Sequence, residues 1–248
     1  MLFKKKKKTD ENGKIIVGKE QKRRSEGYIR LRDNVLYLNA DGKNKVIQVE
    51  SSMAGEGKTT TVCNLAVSLG MTNKKVIVVD LDFRRPKVHR LFNLGKENGI
   101  AEYILENKSI EELIKKTEYD NVDVITRGAE IYNSSLVLVS EKFKSFIAEL
   151  REKYDYVILD CPPVLLVSDY IHISKVSDGV LFVVAHAITS KTHAAEAIKE
   201  LKKNGANILG SIFTMYDGKK SGYYGSGYYG SRYYRKYSYA YVSESDEK

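Results

Sequence analysis

The sequence predicts an α/β protein built on a doubly wound, mostly parallel β-sheet. Short apolar runs rich in Val and Ile recur through the middle of the chain, and nearly continuous runs of this kind are typical of strands buried on both faces. Segments with helical periodicity separate the runs, and alternation of strands with helices favours a parallel sheet. Ligands of such sheets bind beyond the carboxyl ends of the strands, so residues at those ends are the first candidates for function.

Six strands and four helices follow from these patterns. The predicted strands span residues 45–50, 75–80, 122–126, 156–160, 179–185 and 207–213. The predicted helices span residues 59–70, 110–116, 141–153 and 190–204.

Composition places the chain among globular proteins. Hydrophobic residues make up 42% and charged residues 29% of the 248 positions, and the net charge of +9 favours anionic partners. Cys63 and Cys161 lie in no C-x-x-C motif, so neither a disulfide framework nor a zinc site is expected. No signal peptide and no long apolar span is recognised, which favours a cytoplasmic protein with peripheral membrane contact at most.

Three regions differ in composition. Residues 1–24 are predicted to form a basic, flexible arm, whose lysines at 4–8 either bind an anionic membrane surface or are simply solvated. Residues 25–215 carry the strand and helix pattern and form the predicted globular domain. Residues 216–248 are a low-complexity tail of Tyr, Gly, Ser and Arg, predicted to be disordered.

A phosphate-binding loop follows the first predicted strand. Ser52-Met-Ala-Gly-Glu-Gly-Lys-Thr59 has the Walker A spacing, with Ser52 in place of the first glycine. Its glycines let backbone N–H groups face phosphates, Lys58 is expected to reach the β- and γ-phosphates of ATP, and Thr59 is expected to ligate Mg²⁺. The predicted nucleotide-binding residues are Ala54, Gly55, Glu56, Gly57, Lys58, Thr59 and Thr60.

Carboxylates end two further predicted strands. Asp80 and Asp82 follow one buried run two residues apart, and Asp160 ends another at the Walker B position. At i and i+2 of an extended segment the first two project to the same side, so one can serve Mg²⁺ and the other can accept a proton from an incoming hydroxyl.

Nine of the eighteen tyrosines lie between Tyr223 and Tyr241, within the tail. They have no strand or helix periodicity, which favours clustered phosphoacceptors over core residues. An inert low-complexity tail and base stacking on nucleic acid are the alternatives, but no nucleic-acid-binding fold accompanies them and no nucleic acid is expected. The predicted acceptors are Tyr223, Tyr224, Tyr228, Tyr229, Tyr233, Tyr234, Tyr237, Tyr239 and Tyr241.

Together the motifs SSMAGEGKTTT, VIVVDLDFRRP and VILDCPP resemble those of the bacterial tyrosine kinase (BY-kinase) family. The resemblance covers roughly residues 25–215 and extends to the tyrosine-rich tail. It implies a P-loop NTPase fold and a Mg·ATP-dependent protein-tyrosine kinase. In that reading Lys58, Asp80 and Asp82 are catalytic, with Asp80 the candidate base, and Mg²⁺ is held by Thr59, Asp82 and Asp160.

The resemblance also implies a biological setting. Its stand-alone members are cytoplasmic chains held at the inner face of the membrane through a partner. That partner is a transmembrane polysaccharide co-polymerase whose cytoplasmic tail activates the kinase in capsule or exopolysaccharide synthesis. Assembly into a homo-oligomeric ring and autophosphorylation of the tail in trans are expected, with other protein tyrosines as further substrates.

Two other functions fit a P-loop. One is a nucleotide-switched ATPase of the Min/Par partitioning type that makes no phosphotyrosine, and the other is a regulatory subunit whose ATP site only drives assembly. Partitioning ATPases usually have a second lysine early in the P-loop, where this chain has Met53 and Ala54. The tyrosine cluster favours the kinase, since a switch ATPase has no need of it.

Overall fold

A computed structural model describes residues 14–17 and 22–216, and only the backbone of residues 22–24. Within this part the helices are α1 Lys22–Leu38, α2 Lys58–Gly70, α3 Val88–Leu91, α4 Ile100–Glu106, α5 Ile110–Leu113, α6 Ser134–Val139, α7 Glu141–Lys153, α8 Asp169–Ile173 and α9 Lys191–Lys203. The strands are β1 Val46–Ser51, β2 Val76–Asp80, β3 Lys115–Lys116, β4 Val122–Ile125, β5 Tyr156–Asp160, β6 Gly179–Ala185 and β7 Ile208–Thr214.

The strands of the described residues form one sheet in the order β3-β4-β2-β5-β1-β6-β7. All neighbouring pairs are parallel except β3 and β4. From β1 the chain winds to the β3 edge, returns through β4 to β5 beside β1, and continues through β6 to the β7 edge, which is the doubly wound arrangement that the sequence predicts. The P-loop α/β fold is confirmed.

Alternate residues of each central strand face opposite sides of the sheet. Val49 and Val78 pack with α2 in one buried apolar cluster, while Val79 and Leu159 pack with α7 in another. A third cluster, under α9, includes Phe182. Because helices cover both faces of the sheet, the strands are nearly continuous apolar runs in the sequence.

All six predicted strands are present, with ends that differ by one residue at most. The predicted helix at 110–116 is wrong beyond Leu113, because Ile114 is extended and Lys115–Lys116 pairs with β4. Helix α1 and several short helices were not predicted. The short ones have too few residues to show a period, and most of α1 is polar, with Tyr28, Leu31, Val35 and Leu36 packing inward.

Part of the segment predicted to be an arm is packed on the domain. Ile15 and Val17 are buried, and the Asn64 side chain of α2 holds this segment. Asn64 Oδ1 accepts the N–H groups of Ile16 and Val17 at 2.8 and 3.3 Å, and its Nδ2 donates to the carbonyl of Lys14 at 3.0 Å. The rest of the predicted arm before Lys22 lies outside the described residues, as does the tail from residue 217 with all nine predicted acceptors.

No helix in the described ranges is long and apolar enough to cross a membrane.

Candidate active site

The predicted phosphate loop joins β1 to α2. Gly55 and Gly57 have φ values of 85° and 93°, in the left-handed region that glycine adopts without strain. Gly57 precedes the first helical residue, and its carbonyl accepts the N–H of Thr61. The N–H groups of the first helical residues have no partner within a helix, so the loop presents backbone donors and the positive end of the helix dipole to an anion.

The Glu56 side chain lies inside this loop and does not line its mouth. It is 1% exposed, and its carboxylate accepts hydrogen bonds from the Ser52 hydroxyl at 2.8 Å and the Met53 N–H at 3.1 Å. Of the seven residues predicted to bind nucleotide, Glu56 can therefore contribute only its backbone.

Lys58 begins α2 with a side chain that is mostly buried. Its ammonium group lowers the pKa values of two buried carboxyls, Asp160 and Glu50, against the larger effect of their burial. The cation thus lies among the acidic strand ends, where the charge of a phosphate group can reach it.

Asp80 and Asp160 are neighbours in the sheet, paired across β2 and β5. Asp80 is fully buried, and its oxygens accept backbone N–H groups from Asp82 at 3.2 Å and from Lys87 and Val88 at 3.1 Å. Burial and then the charge of Asp160 raise the pKa of Asp80 well above its usual value. Asp80 therefore anchors the Walker A′ loop, which we define as residues 80–88.

Asp160 has a different environment. Among the described residues neither of its buried oxygens has a hydrogen-bond partner in ordinary geometry, although the Thr59 hydroxyl is close enough to lower its pKa. Burial raises the pKa of Asp160 to about 6, and Lys58 and Thr59 limit the rise. A buried carboxylate without donors is costly, and a bound cation is the usual compensation.

Asp82 is half-buried at the turn that follows β2. One of its oxygens accepts the N–H groups of Arg84 at 3.2 Å and Arg85 at 2.9 Å. Its charge raises the pKa values of Asp80 and Asp160, so the three predicted carboxylates do lie together.

This donor set fits Mg²⁺ that arrives with a nucleotide. Carboxylate and hydroxyl oxygens are the ligands Mg²⁺ prefers, and the orphaned oxygens of Asp160 lie near the Thr59 hydroxyl. Within the described residues no group of three or more His, Cys, Asp or Glu side chains is close enough to hold a metal alone. Mg²⁺ at kinase and ATPase sites usually combines one or two carboxylates with phosphate oxygens and water, so a complete protein cage is not required.

An ion pair between half-exposed Arg84 and buried Asp169 fixes the Walker A′ loop from its far side. Arg84 Nη1 donates to Asp169 Oδ2 at 2.8 Å, and the Ser134 hydroxyl donates to the same oxygen at 3.0 Å. Asp169 is 1% exposed by its side chain, so this oxygen joins the loop to the first residues of α6 and α8. Neither Asp169 nor Ser134 could be predicted from the sequence, because neither lies in a recognisable motif.

A polar network runs under the P-loop, where the sequence predicted only a buried strand. Gln48 Nε2 donates to Glu50 Oε1 at 2.6 Å, while Gln48 Oε1 accepts from the hydroxyls of Ser174 and Ser177. Burial raises the pKa of Glu50 from its usual 4.5 to about 8, so the group is mainly protonated at neutral pH. The sequence does contain a signal for this network. Gln48 and Glu50 are polar residues at alternate positions of an apolar run, so they lie on the same face of the strand.

Glu50→Gln is expected to remove a pH dependence of stability. Because the folded pKa of Glu50 is raised, its contribution is complete below about pH 4.5 and is lost as pH rises through about 8. Glutamine matches the shape of the neutral acid, so the variant should gain stability over wild type as pH rises across this range. Urea unfolding from pH 5 to 9 measures the difference, with exposed Glu152→Gln as control. Parallel curves for Glu50→Gln and wild type would contradict the assignment.

Comparisons with known proteins bear on the family and the fold. A family model described as an AAA domain matches residues 44–210. The tyrosine-protein kinase YwqD of Bacillus subtilis is 35% identical over 208 residues, which cover 82% of this chain and 86% of that protein. The kinase domain of the Escherichia coli tyrosine kinase ETK has a TM-score of 0.76 at 27% identity, over 82% of this chain and 80% of that one.

The likeness to a partitioning ATPase is weaker. The septum site-determining protein MinD of Pyrococcus horikoshii, solved with Mg-ADP, has a TM-score of 0.58 at 27% identity over 67% of this chain and 68% of that one. Family model, relative and kinase domain all extend over most of the described domain, and the predicted family is confirmed. The chain belongs to the bacterial tyrosine kinase family.

Proposed function

We propose that this chain transfers the γ-phosphoryl group of Mg·ATP to protein tyrosines, and that its own tail tyrosines are acceptors between subunits. The observation that carries the proposal is the orphaned, buried carboxylate of Asp160 beside Lys58 and Thr59 at the mouth of a P-loop. A cation would compensate the buried carboxylate of Asp160, and the Lys58 ammonium and the N–H groups of the loop can bind phosphate. Mg·ATP supplies the cation and the phosphates together.

The proposed roles of the site residues follow from their positions. Lys58 and the backbone of residues 54–60 bind and orient the β- and γ-phosphates, and Thr59 and Asp160 would hold the magnesium ion. When bound, Mg²⁺ neutralises charge on the transferring phosphoryl group.

Asp82 takes the proton of the acceptor phenol, because it is the half-exposed member of the acidic pair. Asp80, the base implied by the resemblance, has both oxygens engaged by backbone N–H groups and positions the loop.

The regulatory setting is part of the proposal. A cytoplasmic segment of a transmembrane polysaccharide co-polymerase activates the chain at the inner face of the membrane, and subunits assemble into a ring. Each phosphate adds about −1.5 to −2 charge to a tail, so phosphorylated tails of neighbouring subunits repel and loosen the ring. Polysaccharide synthesis would then follow cycles of assembly and phosphorylation.

A mixing experiment tests transfer between subunits. One full-length chain carries Lys58→Met and an intact tail, and the other is active but has the nine predicted acceptor tyrosines replaced by Phe. Incubation with Mg·ATP, with and without the cytoplasmic peptide of a co-polymerase, should add phosphate to the Lys58→Met chain, as measured by intact mass. Phosphorylation of intact wild type with none on the Lys58→Met chain would establish transfer within one subunit.

The likeness to MinD favours one alternative function, that of a nucleotide-switched ATPase. The same experiment separates the two. Release of inorganic phosphate with no added mass on any chain would identify the ATPase and refute the kinase.

A further inference from the structure

The P-loop is tied to two threonines from the far edge of the sheet. Thr189 Oγ1 donates to Glu56 Oε1 at 2.7 Å, and Thr214 Oγ1 donates to the Glu56 carbonyl oxygen at 2.8 Å. These bonds span 133 and 158 positions of the chain. We call Glu56, Thr189 and Thr214 the P-loop latch.

Each threonine is itself fixed by neighbouring backbone. The Thr189 hydroxyl accepts the Ala185 N–H at 2.9 Å, so its own proton is directed at Glu56. Thr214 is the last residue of β7, and its carbonyl accepts the His186 N–H at 2.9 Å. The strand ends Ala185 and Thr214 are also register partners, so both anchors belong to one rigid corner of the sheet.

The latch holds the loop at the point where its backbone is most unusual. A Cβ on Gly57 would lie 3.5 Å from Thr214 Oγ1, which shows how closely β7 approaches the loop. The Glu56 carboxylate is buried and accepts its hydrogen bonds from neutral donors, on Ser52, Met53 and Thr189. Bonds to a buried carboxylate are stronger than those between neutral groups, and losing one leaves the charge undersatisfied.

We infer that Thr189 and Thr214 are positioning residues that preform the phosphate loop through Glu56. The inference rests on the proposed function, because it takes residues 54–60 as the nucleotide site. A loop held in its bound shape does not lose conformational freedom when the phosphates arrive, so preorganisation increases affinity. Neither threonine touches the phosphate-binding face by this account, and their effect passes through the position of the Glu56 backbone and side chain.

Full-length Thr189→Val and Thr214→Val test the inference. Each removes one hydroxyl donor at nearly constant volume and is expected to weaken binding of a fluorescent Mg·ATP analogue about tenfold, as expected for one charge-assisted or backbone hydrogen bond. Thr189→Ser and Thr214→Ser keep the hydroxyl and should restore affinity to within about threefold of wild type. At saturating ATP the phosphotransfer rate of the valine variants should stay near wild type, since the reacting groups are unchanged.

A matched control separates positioning from general destabilisation. Thr117 makes a comparable hydrogen bond at the opposite edge of the sheet, beside β3. Its hydroxyl donates to the Val122 carbonyl at 2.8 Å. Thr117→Val should lower the melting temperature without changing nucleotide affinity. The inference is overturned if the latch variants bind as wild type does, or if Thr117→Val weakens binding equally. Failure of wild type itself to bind Mg·ATP would instead refute the proposed function.

Discussion

Lys58→Met is expected to lower phosphotransfer by about two to three orders of magnitude while the chain stays folded. The side chain is held among Asp160 and Glu50 at the mouth of the loop, where its charge meets developing charge on the transferred group. Initial rates of phosphotyrosine formation at saturating Mg·ATP measure the loss. Glu50 is already mainly neutral and Asp160 can take up a proton, so the fold tolerates removal of the cation.

Lys75→Met is the matched control for that measurement. Lys75 is exposed and lies directly before β2, at the amino end of the sheet away from the P-loop. Its replacement removes an equal charge and should leave the rate unchanged. Wild-type phosphotransfer by a folded Lys58→Met chain would refute the P-loop assignment.

Asp160→Asn is expected to make the protein more stable and much less active. Asp160 and Asp80 are buried neighbours, and the charge of Asp160 adds to burial in raising the pKa of Asp80. Removing one charge relieves this repulsion and should raise the free energy of unfolding by about 1–2 kcal/mol. Loss of a magnesium ligand should lower turnover by about two orders of magnitude or more.

Two measurements are needed because the effects have opposite signs. Thermal unfolding without nucleotide measures the gain in stability from the relieved repulsion. Phosphotransfer across a Mg²⁺ titration measures the effect of losing the magnesium ligand. Asp120→Asn, an exposed position before β4, should change neither. An Asp160→Asn chain that is less stable than wild type, or that keeps its Mg²⁺ response, would show that Asp160 is not a strained metal ligand.

The central strands and the strand-end motifs could be predicted because their signals are local. Each buried strand is a run of β-branched residues, and the Walker A glycines and lysine are contiguous in sequence. The structure adds that Asp80 accepts backbone N–H groups of a later turn, and for this reason we propose Asp82 rather than Asp80 as the base. That turn folds back only because Val88 packs into the core.

The parts that could not be predicted depend on distant pairings. Lys115–Lys116 has no strand character of its own and is extended only because β4 offers an edge. Thr189 and Thr214 are ordinary residues in sequence, and their contacts with Glu56 exist only once β6 and β7 are in place. Asp169 likewise acquires Arg84 and Ser134 as partners through the packing of three separate segments.

The position of β1 has a consequence for biosynthesis. This strand is made first but ends in the middle of the sheet, where Val46 pairs with Val157 and Ile47 with Gly179. At roughly 5–20 residues per second, a ribosome needs roughly 5–20 s after β1 before its first neighbour has been made. During that interval an apolar strand with both edges open is exposed on the nascent chain, which invites pairing with other chains. Of the described strands, the one that leads into the phosphate loop thus waits longest for its neighbours while the protein is being made.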